Sequence, residues 1–142
     1  LLADKGFAVG TDFITGHPGE SEDIWKEAIN NARELPLTHL HAFTYSKRDG
    51  TPSATMKPEV NGKLAKERLH EIQDIVNEKN LAFRRAFSGE LDILVESKKD
   101  GLYHGIDQHF NKIIIDSKED LVGNWVSVQN YKVKEDCNYA NI

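Results

Sequence analysis

The hydrophobic pattern of this chain changes period once, at Ser88-Gly89, and no other feature constrains its fold as strongly. Before that point, short apolar runs alternate with stripes at helical spacing. After it, apolar and polar residues alternate one by one. Side chains recur on one face every 3.6 residues in a helix and every second residue in a strand. The predicted fold class is therefore α/β followed by all-β.

Within the first part, residues 7–15 (FAVGTDFIT) read as a buried strand. A helix is predicted from Ser21, a good N-cap residue, with Glu22 and Asp23 favourable in its first turn. Ile24, Ala28, Ile29, Ala32 and Leu35 recur at helical spacing with Trp25 beside them, and Pro36 ends the helix. Residues 37–45 (LTHLHAFTY) read as a second strand, and a long loop rich in glycine, proline and charge follows. A second helix is predicted from about Lys63 to Phe87, with Ala65, Leu69, Ile72, Val76, Phe83 and Phe87 near one face. Strand–helix–strand–helix is the order of parallel β/α units. Two units cannot close a barrel, since eight take about 250 residues. Their partners are expected upstream of Leu1, and LLADKGF reads as the end of an upstream helix stopped by Gly6. An open parallel edge at 7–15 also predicts that the isolated chain can form a dimer of no physiological meaning.

After Gly89, the segments ELDILVE, GLYHGI, KIIID and NWVSVQNYKV read as short strands, with Asp100-Gly101 as a turn. Closely spaced short strands predict a small antiparallel β-barrel, OB-like in kind. The predicted division is 1–87, 88–136, and a loose tail at 137–142. Trp125 is expected in the barrel core, and the pairs Arg84-Arg85 and Lys98-Lys99 on solvated faces.

The single cysteine, Cys137, excludes a disulfide framework and any cysteine-ligated iron–sulfur cluster built within these residues. It reads as a bland thiol and fits a reducing, cytoplasmic setting. No apolar run approaches the ~18 residues of a membrane helix, so no membrane partner is expected. Net charge is −5. Residues 1–82 carry 10 basic and 13 acidic side chains, and residues 83–142 carry 8 and 10. Neither part has the overall basic footprint of a nucleic-acid binder, so any RNA contact must use a local patch.

Two segments leave the C-terminal ends of the predicted parallel strands, where barrel enzymes keep their active sites. In GTDFITGHPGE, Gly16 and Gly19 let a ligand approach the backbone, Pro18 stiffens the turn, and Glu20 precedes a helix N-terminus. A tight strand-to-helix turn with a capping carboxylate accounts for the same residues. In FTYSKRDGTPSA, the hydroxyls of Thr44, Tyr45 and Ser46 and the cations Lys47 and Arg48 suit a polar or phosphate-bearing ligand, or a solvated loop. His39 and His41 share a strand face, which would allow a paired metal site, but packed or hydrogen-bonded histidines fit equally. In GLYHGIDQHFNK, Tyr103 and Phe110 offer stacking surfaces beside His104, His109 and Lys112, or else fill the barrel core.

The two loop motifs, at their mutual spacing, resemble those of the radical S-adenosylmethionine methylthiotransferases, and the β-rich end resembles the TRAM domain of that family. PLTHLHAFTYS and EKNLAFRRAF look closest to the branch that modifies N6-threonylcarbamoyladenosine at position 37 of tRNA. Sister branches modify N6-isopentenyladenosine in tRNA or an aspartate of a ribosomal protein. The resemblance implies that residues 1–87 are the last two β/α units of a radical-SAM barrel. It also implies S-adenosylmethionine and two [4Fe–4S] clusters, one held by a CxxxCxxC motif that is absent from these residues. The chain by itself is then expected to be inactive and to bind none of these cofactors. Gly16, Pro18, Gly19 and Glu20 match the motif bordering the S-adenosylmethionine pocket. Tyr45, Ser46, Arg48, Gly50 and Thr51 match the loop at the barrel mouth, and Lys47 stands where the family varies. The implied partner is the tRNA anticodon loop, with Tyr45, Ser46, Lys47, Arg48, Tyr103, His104, His109, Phe110 and Lys112 as contacts. A ribosomal protein is the alternative partner, and a stand-alone RNA- or protein-binding module the alternative reading.

Overall fold

The computed structural model describes residues 2–142, which form two compact units divided between Asn80 and Leu81. In the first unit, a 3-10 turn at Ala3–Lys5 stops where Gly6 takes a left-handed conformation, φ 79°, and donates its N–H to the Ala3 carbonyl. Strands β1 (Gly10–Thr15) and β2 (His39–Thr44) pair in parallel, with Gly10 opposite His39 and Thr15 opposite Thr44. Helix α1 (Glu22–Glu34) connects them. Ser21 is its N-cap and accepts the Ile24 N–H at 3.3 Å.

The buried stripe of α1 is Trp25, Ile29 and Ala32. Ile24 and Leu35, expected to share it, point outward at 53% and 51% exposure. From Trp25 the inward stripe runs through i+3, i+4 and i+7, with Ala28 packed against it, and Ile24 and Leu35 fall outside that arc. Helix α2 (Gly62–Ala86) presents Ala65, Arg68, Ile72 and Val76 to the interior. Burying an aliphatic side chain of this size contributes about 1.5–3 kcal/mol. Lys79 anchors the C-terminal end of α1, donating to the Ala32 carbonyl at 2.7 Å and to the Leu35 carbonyl. Partial burial lowers the pKa of its ammonium.

The second unit is a curled six-stranded sheet in the order β6-β3-β4-β5-β8-β7. The strands are β3 (Leu91–Lys99), β4 (Leu102–Asp107), β5 (Lys112–Asp116), β6 (Trp125–Val128), β7 (Tyr131–Val133) and β8 (Asn138–Asn141). Asp100 and Gly101 both take positive φ, 52° and 83°, as the tight turn between β3 and β4 requires. Three expectations are corrected here. The sheet is not purely antiparallel, because β5 and β8 run parallel. NWVSVQNYKV is two strands broken at Gln129-Asn130, not one. The residues expected to form a loose tail include β8, which lies between β5 and β7 with Asn138 and Ala140 buried.

The core of this sheet is Leu91, Ile93, Val95, Tyr103, Ile113, Ile115, Leu121, Val128 and Ala140. Arg84, expected on a solvated face, is also buried, at 4% exposure. It donates to the carbonyls of Lys134 (2.8 Å) and Glu135 (2.6 Å) and to Asn138 Oδ1 (3.3 Å). A guanidinium has enough donors to satisfy a backbone turn that no apolar side chain could satisfy. The same turn brings the C-terminal strand into the sheet.

Gly105 faces Val95 beside a bulge in β3, where an added Cβ would lie 2.5 Å from the Leu94 carbonyl oxygen and 2.8 Å from Ile93 Cγ2. Gly105→Ala is expected to destabilise the second unit by about 1–3 kcal/mol, as overpacking does. Urea unfolding followed by circular dichroism checks this, and an unchanged midpoint would contradict the strand register.

Candidate functional site

The loop after β1 is built around a turn at His17–Glu20. Glu20 N–H bonds the His17 carbonyl at 3.0 Å, with Pro18 second and Gly19 third at φ 87°. Proline second and glycine third is the pattern a type II turn demands. Gly16 is needed for a reason other than ligand access. Its φ is 76°, and a Cβ there would fall 2.4 Å from Ala65 Cβ on α2. Thr15, fully buried, fixes the same contact by donating its hydroxyl to the Ala65 carbonyl at 2.9 Å.

Glu20 closes this loop rather than capping α1. Both of its carboxylate oxygens accept the Gly16 N–H at 3.1 Å. Arg68 Nη1 bonds Glu20 Oε1 at 2.7 Å and the Glu20 carbonyl at 3.0 Å. Arg68 Nη2 reaches Glu22 at 3.0 Å, and the guanidinium lies 5.3 Å from the Trp25 ring centre. The pair is nearly dry, with side-chain exposures of 3% for Arg68 and 9% for Glu20. Trp25 in turn donates its Nε1 proton to Glu71 at 2.8 Å and meets Phe13 edge-on. Arg68 was missed in the sequence because it sits in the apolar stripe of α2. A cation at an inward position of an amphipathic helix, facing a loop that ends in Glu, is the signal that would have found it.

The two motifs do meet. A cavity of about 180 Å³ at the C-terminal ends of β1 and β2 is lined by Gly16 and Pro18 from one and Tyr45 and Lys47 from the other. Ser53, Ala54, Glu59 and Val60 of the long loop complete it. The Gly19 N–H ties that loop in place through the Pro58 carbonyl at 2.9 Å. Tyr45 packs edge-on to His17 at 5.2 Å, and its hydroxyl is buried without a hydrogen-bond partner among the described residues. Glu59 is held below its ordinary carboxylate pKa by a hydrogen bond from Lys57, then by the charges of Lys57 and Lys47. Ser46 and Arg48 are exposed and do not line the cavity.

The histidines of β2 do not converge. His39 bonds the Thr38 hydroxyl at 2.9 Å and His41 approaches Asp12 at 3.4 Å. Among the described residues no group of three or more potential metal ligands occurs.

In the second unit the predicted contacts scatter. Tyr103 is core, at 1% exposure, with Lys98 bonded to its hydroxyl at 2.8 Å, so its ring is closed to a stacking base. His109 lies between Phe83 and Phe87, at 5.3 and 4.7 Å. Phe110 is the reverse, 77% exposed and at φ 62°. That conformation is costly for a bulky residue. It is held because Asp107 Oδ1 accepts the N–H groups of both His109 and Asn111 at 2.9 Å. His104 is half-buried and Lys112 exposed, both on the outer face of the sheet.

A parallel β/α pair with a polar cavity at its strand ends, followed by a small β unit, is the arrangement these residues define. No model of a known protein family matches the chain. Curated relatives do. A Helicobacter pylori protein named provisionally as a methylthiotransferase is 45% identical over 99% of the chain and 34% of its own length. The threonylcarbamoyladenosine tRNA methylthiotransferase MtaB of Bacillus subtilis is 29% identical over 89% of the chain and 30% of its length. The ribosomal protein uS12 methylthiotransferase RimO of Caldanaerobacter subterraneus subsp. tengcongensis is 33% identical over 74% of the chain and 24% of its length. The chain belongs to the radical S-adenosylmethionine methylthiotransferase family. It spans between about a quarter and a third of the length of these relatives.

Breaking a buried ion pair from one side leaves an uncompensated charge, which typically costs about 3–5 kcal/mol. Arg68→Ala is expected to lower stability by that amount, measured by denaturant unfolding. A loss under about 1 kcal/mol, the value of a surface pair, would contradict the account.

Proposed function

We propose that the chain is the C-terminal part of a tRNA-modifying methylthiotransferase. The whole enzyme adds a 2-methylthio group to a hypermodified adenosine at position 37, at the anticodon loop. The observation that carries this reading is the cavity at the strand ends, where the two family-like motifs meet around the unpartnered Tyr45 hydroxyl. The relatives support it, MtaB being named for threonylcarbamoyladenosine tRNA.

Residues 1–87 would be the last two β/α units of the barrel, and residues 88–136 the TRAM domain. The uncovered face of the β1–β2 pair is consistent with this. Ile14 and Phe43, directly opposite one another, stand 54% and 56% exposed. Parallel sheets are normally covered on both faces. Localisation follows as cytoplasmic, and among the described residues no helix is long and apolar enough to cross a membrane.

The residues present fit one of the family's cofactors in part and the other not at all. S-adenosylmethionine, when bound, supplies the radical and the transferred methyl group. Tyr45 and Lys47 could meet its polar groups, and Pro18, Ala54 and Val60 its apolar portion. Gly16 forms part of the wall, and Glu20, which like Gly19 does not line the cavity, holds it in place by accepting the Gly16 N–H. One cysteine cannot ligate an iron–sulfur cluster, so no step is assigned to a cluster here and the isolated chain is inactive. A second reading, in which the substrate is a ribosomal protein, is favoured by the match to RimO and by a net charge of −5, which suits a basic partner.

Digested total tRNA from wild-type and deletion cells, compared by mass spectrometry, tests the proposal. Loss of the 2-methylthio adenosine in the deletion strain is expected. Unchanged tRNA, with loss of methylthio-aspartate from a ribosomal protein, would transfer the proposal to the second reading.

A further inference from the structure

The β1–β2 pair has two faces of opposite character. Phe13, Leu40 and Ala42 pack with Trp25 in the core of the first unit. The other face, one residue out of phase, carries three rows: Gly10 opposite His39, Asp12 opposite His41, and Ile14 opposite Phe43. On the reading above this face is the inner wall of a β/α barrel, where bulky apolar side chains are the rule. Ile14 and Phe43, nearest the C-terminal strand ends, keep to that rule. The next row does not. His41 Nδ1 lies 3.4 Å from Asp12 Oδ1, with side chains 77% and 79% exposed. A hollow of about 360 Å³ beside them is lined by Gly10, Thr11, Asp12, His39, Leu40 and His41. A charge pair taken out of water inside a barrel is costly, and such breaks in a packing rule mark functional sites.

The two histidines of the hollow are not equivalent. His39 is engaged by the Thr38 hydroxyl at 2.9 Å and lies 3.4 Å from the Asn80 side-chain amide. His41 has Asp12 at Nδ1 and, among the described residues, no partner at Nε2. One carboxylate thus orients the ring and leaves its second nitrogen open. A protonated ring held this way has one N–H left to donate, and a second carboxylate is its strongest acceptor.

We propose that His41, oriented by Asp12, is a specificity-determining residue: its Nε2–H meets the carboxylate of a threonylcarbamoyl group on the substrate base. The proposal rests on the tRNA reading above and names the substituent that this site selects. Threonylcarbamoyl ends in the carboxylate and hydroxyl of an amino acid. Isopentenyl is a hydrocarbon and would leave the ring without its second partner. The Asp12–His41 row lies about 7 Å below the Ile14–Phe43 row, two residues along each strand. Only a substituent long enough to pass those apolar side chains reaches it. Asp12 keeps the imidazolium compensated while the site is empty.

The full-length enzyme, loaded with its clusters and S-adenosylmethionine, tests the proposal on two anticodon stem-loop RNAs. One bears threonylcarbamoyladenosine at position 37 and the other isopentenyladenosine. The parent is expected to prefer the first, in kcat/KM and in affinity measured by fluorescence anisotropy. His41→Ala should lower both for that RNA by about tenfold to a hundredfold, the usual size of a hydrogen bond to a charged group, and leave the second RNA unaffected. His41→Gln, which restores an N–H donor, should recover part of the preference. Circular dichroism should be unchanged in both variants. A preference that survives His41→Ala intact, or a parent that prefers the isopentenyl RNA, would overturn the proposal while leaving the tRNA reading standing. A parent that modifies neither RNA and acts on a ribosomal protein would defeat both.

Discussion

The Arg68–Glu20 ion pair is the interaction on which the first unit depends. Its carboxylate holds the Gly16 N–H, and its guanidinium reaches Glu22 and lies over Trp25. One dry charge pair thus joins the loop after β1, the start of α1 and the inner face of α2. The close approach of Gly16 to Ala65 and the Thr15 hydrogen bond to the Ala65 carbonyl follow from the same junction. The cavity wall of Gly16 and Pro18 stands where it does because the loop is fixed from behind.

The second unit has its own buried polar junction. Asp107 accepts side-chain donors from Asn111 and Asn138 at 3.3 and 3.4 Å, and Asn138 Oδ1 accepts from Arg84. This junction holds the turn that displays Phe110 and the strand β8 together. In both units a buried charge satisfies backbone and side-chain groups that would otherwise be left unpaired at high cost.

Local chemistry was legible in the sequence: the change of period at Ser88-Gly89, the Ser21 cap, the Gly6 stop and the Asp100-Gly101 turn. Also legible were the two motifs that line the cavity. Illegible were features set by distant partners. Arg84 read as surface charge, and Arg68 was passed over, because their acceptors lie 46 to 54 residues away. The parallel pairing of β5 with β8 leaves no trace in a period-two pattern, which is the same for either direction. Trp125, 70% exposed on the edge strand β6, read as core because hydrophobicity alone cannot say which face of an edge strand is covered. Val126 and Val128, on the alternating phase of the same strand, face the core in its place.

The central claim is that Glu20 and Arg68 hold the glycine loop in shape from within the protein. Amide hydrogen exchange at Gly16 reports this directly, since that N–H is bonded to the Glu20 carboxylate. Strong protection in the parent, lost in Glu20→Ala while amides of the second-unit core stay protected, is the result the account predicts. A Gly16 amide that exchanges freely in the parent, or stays protected after Glu20 is truncated, would contradict it.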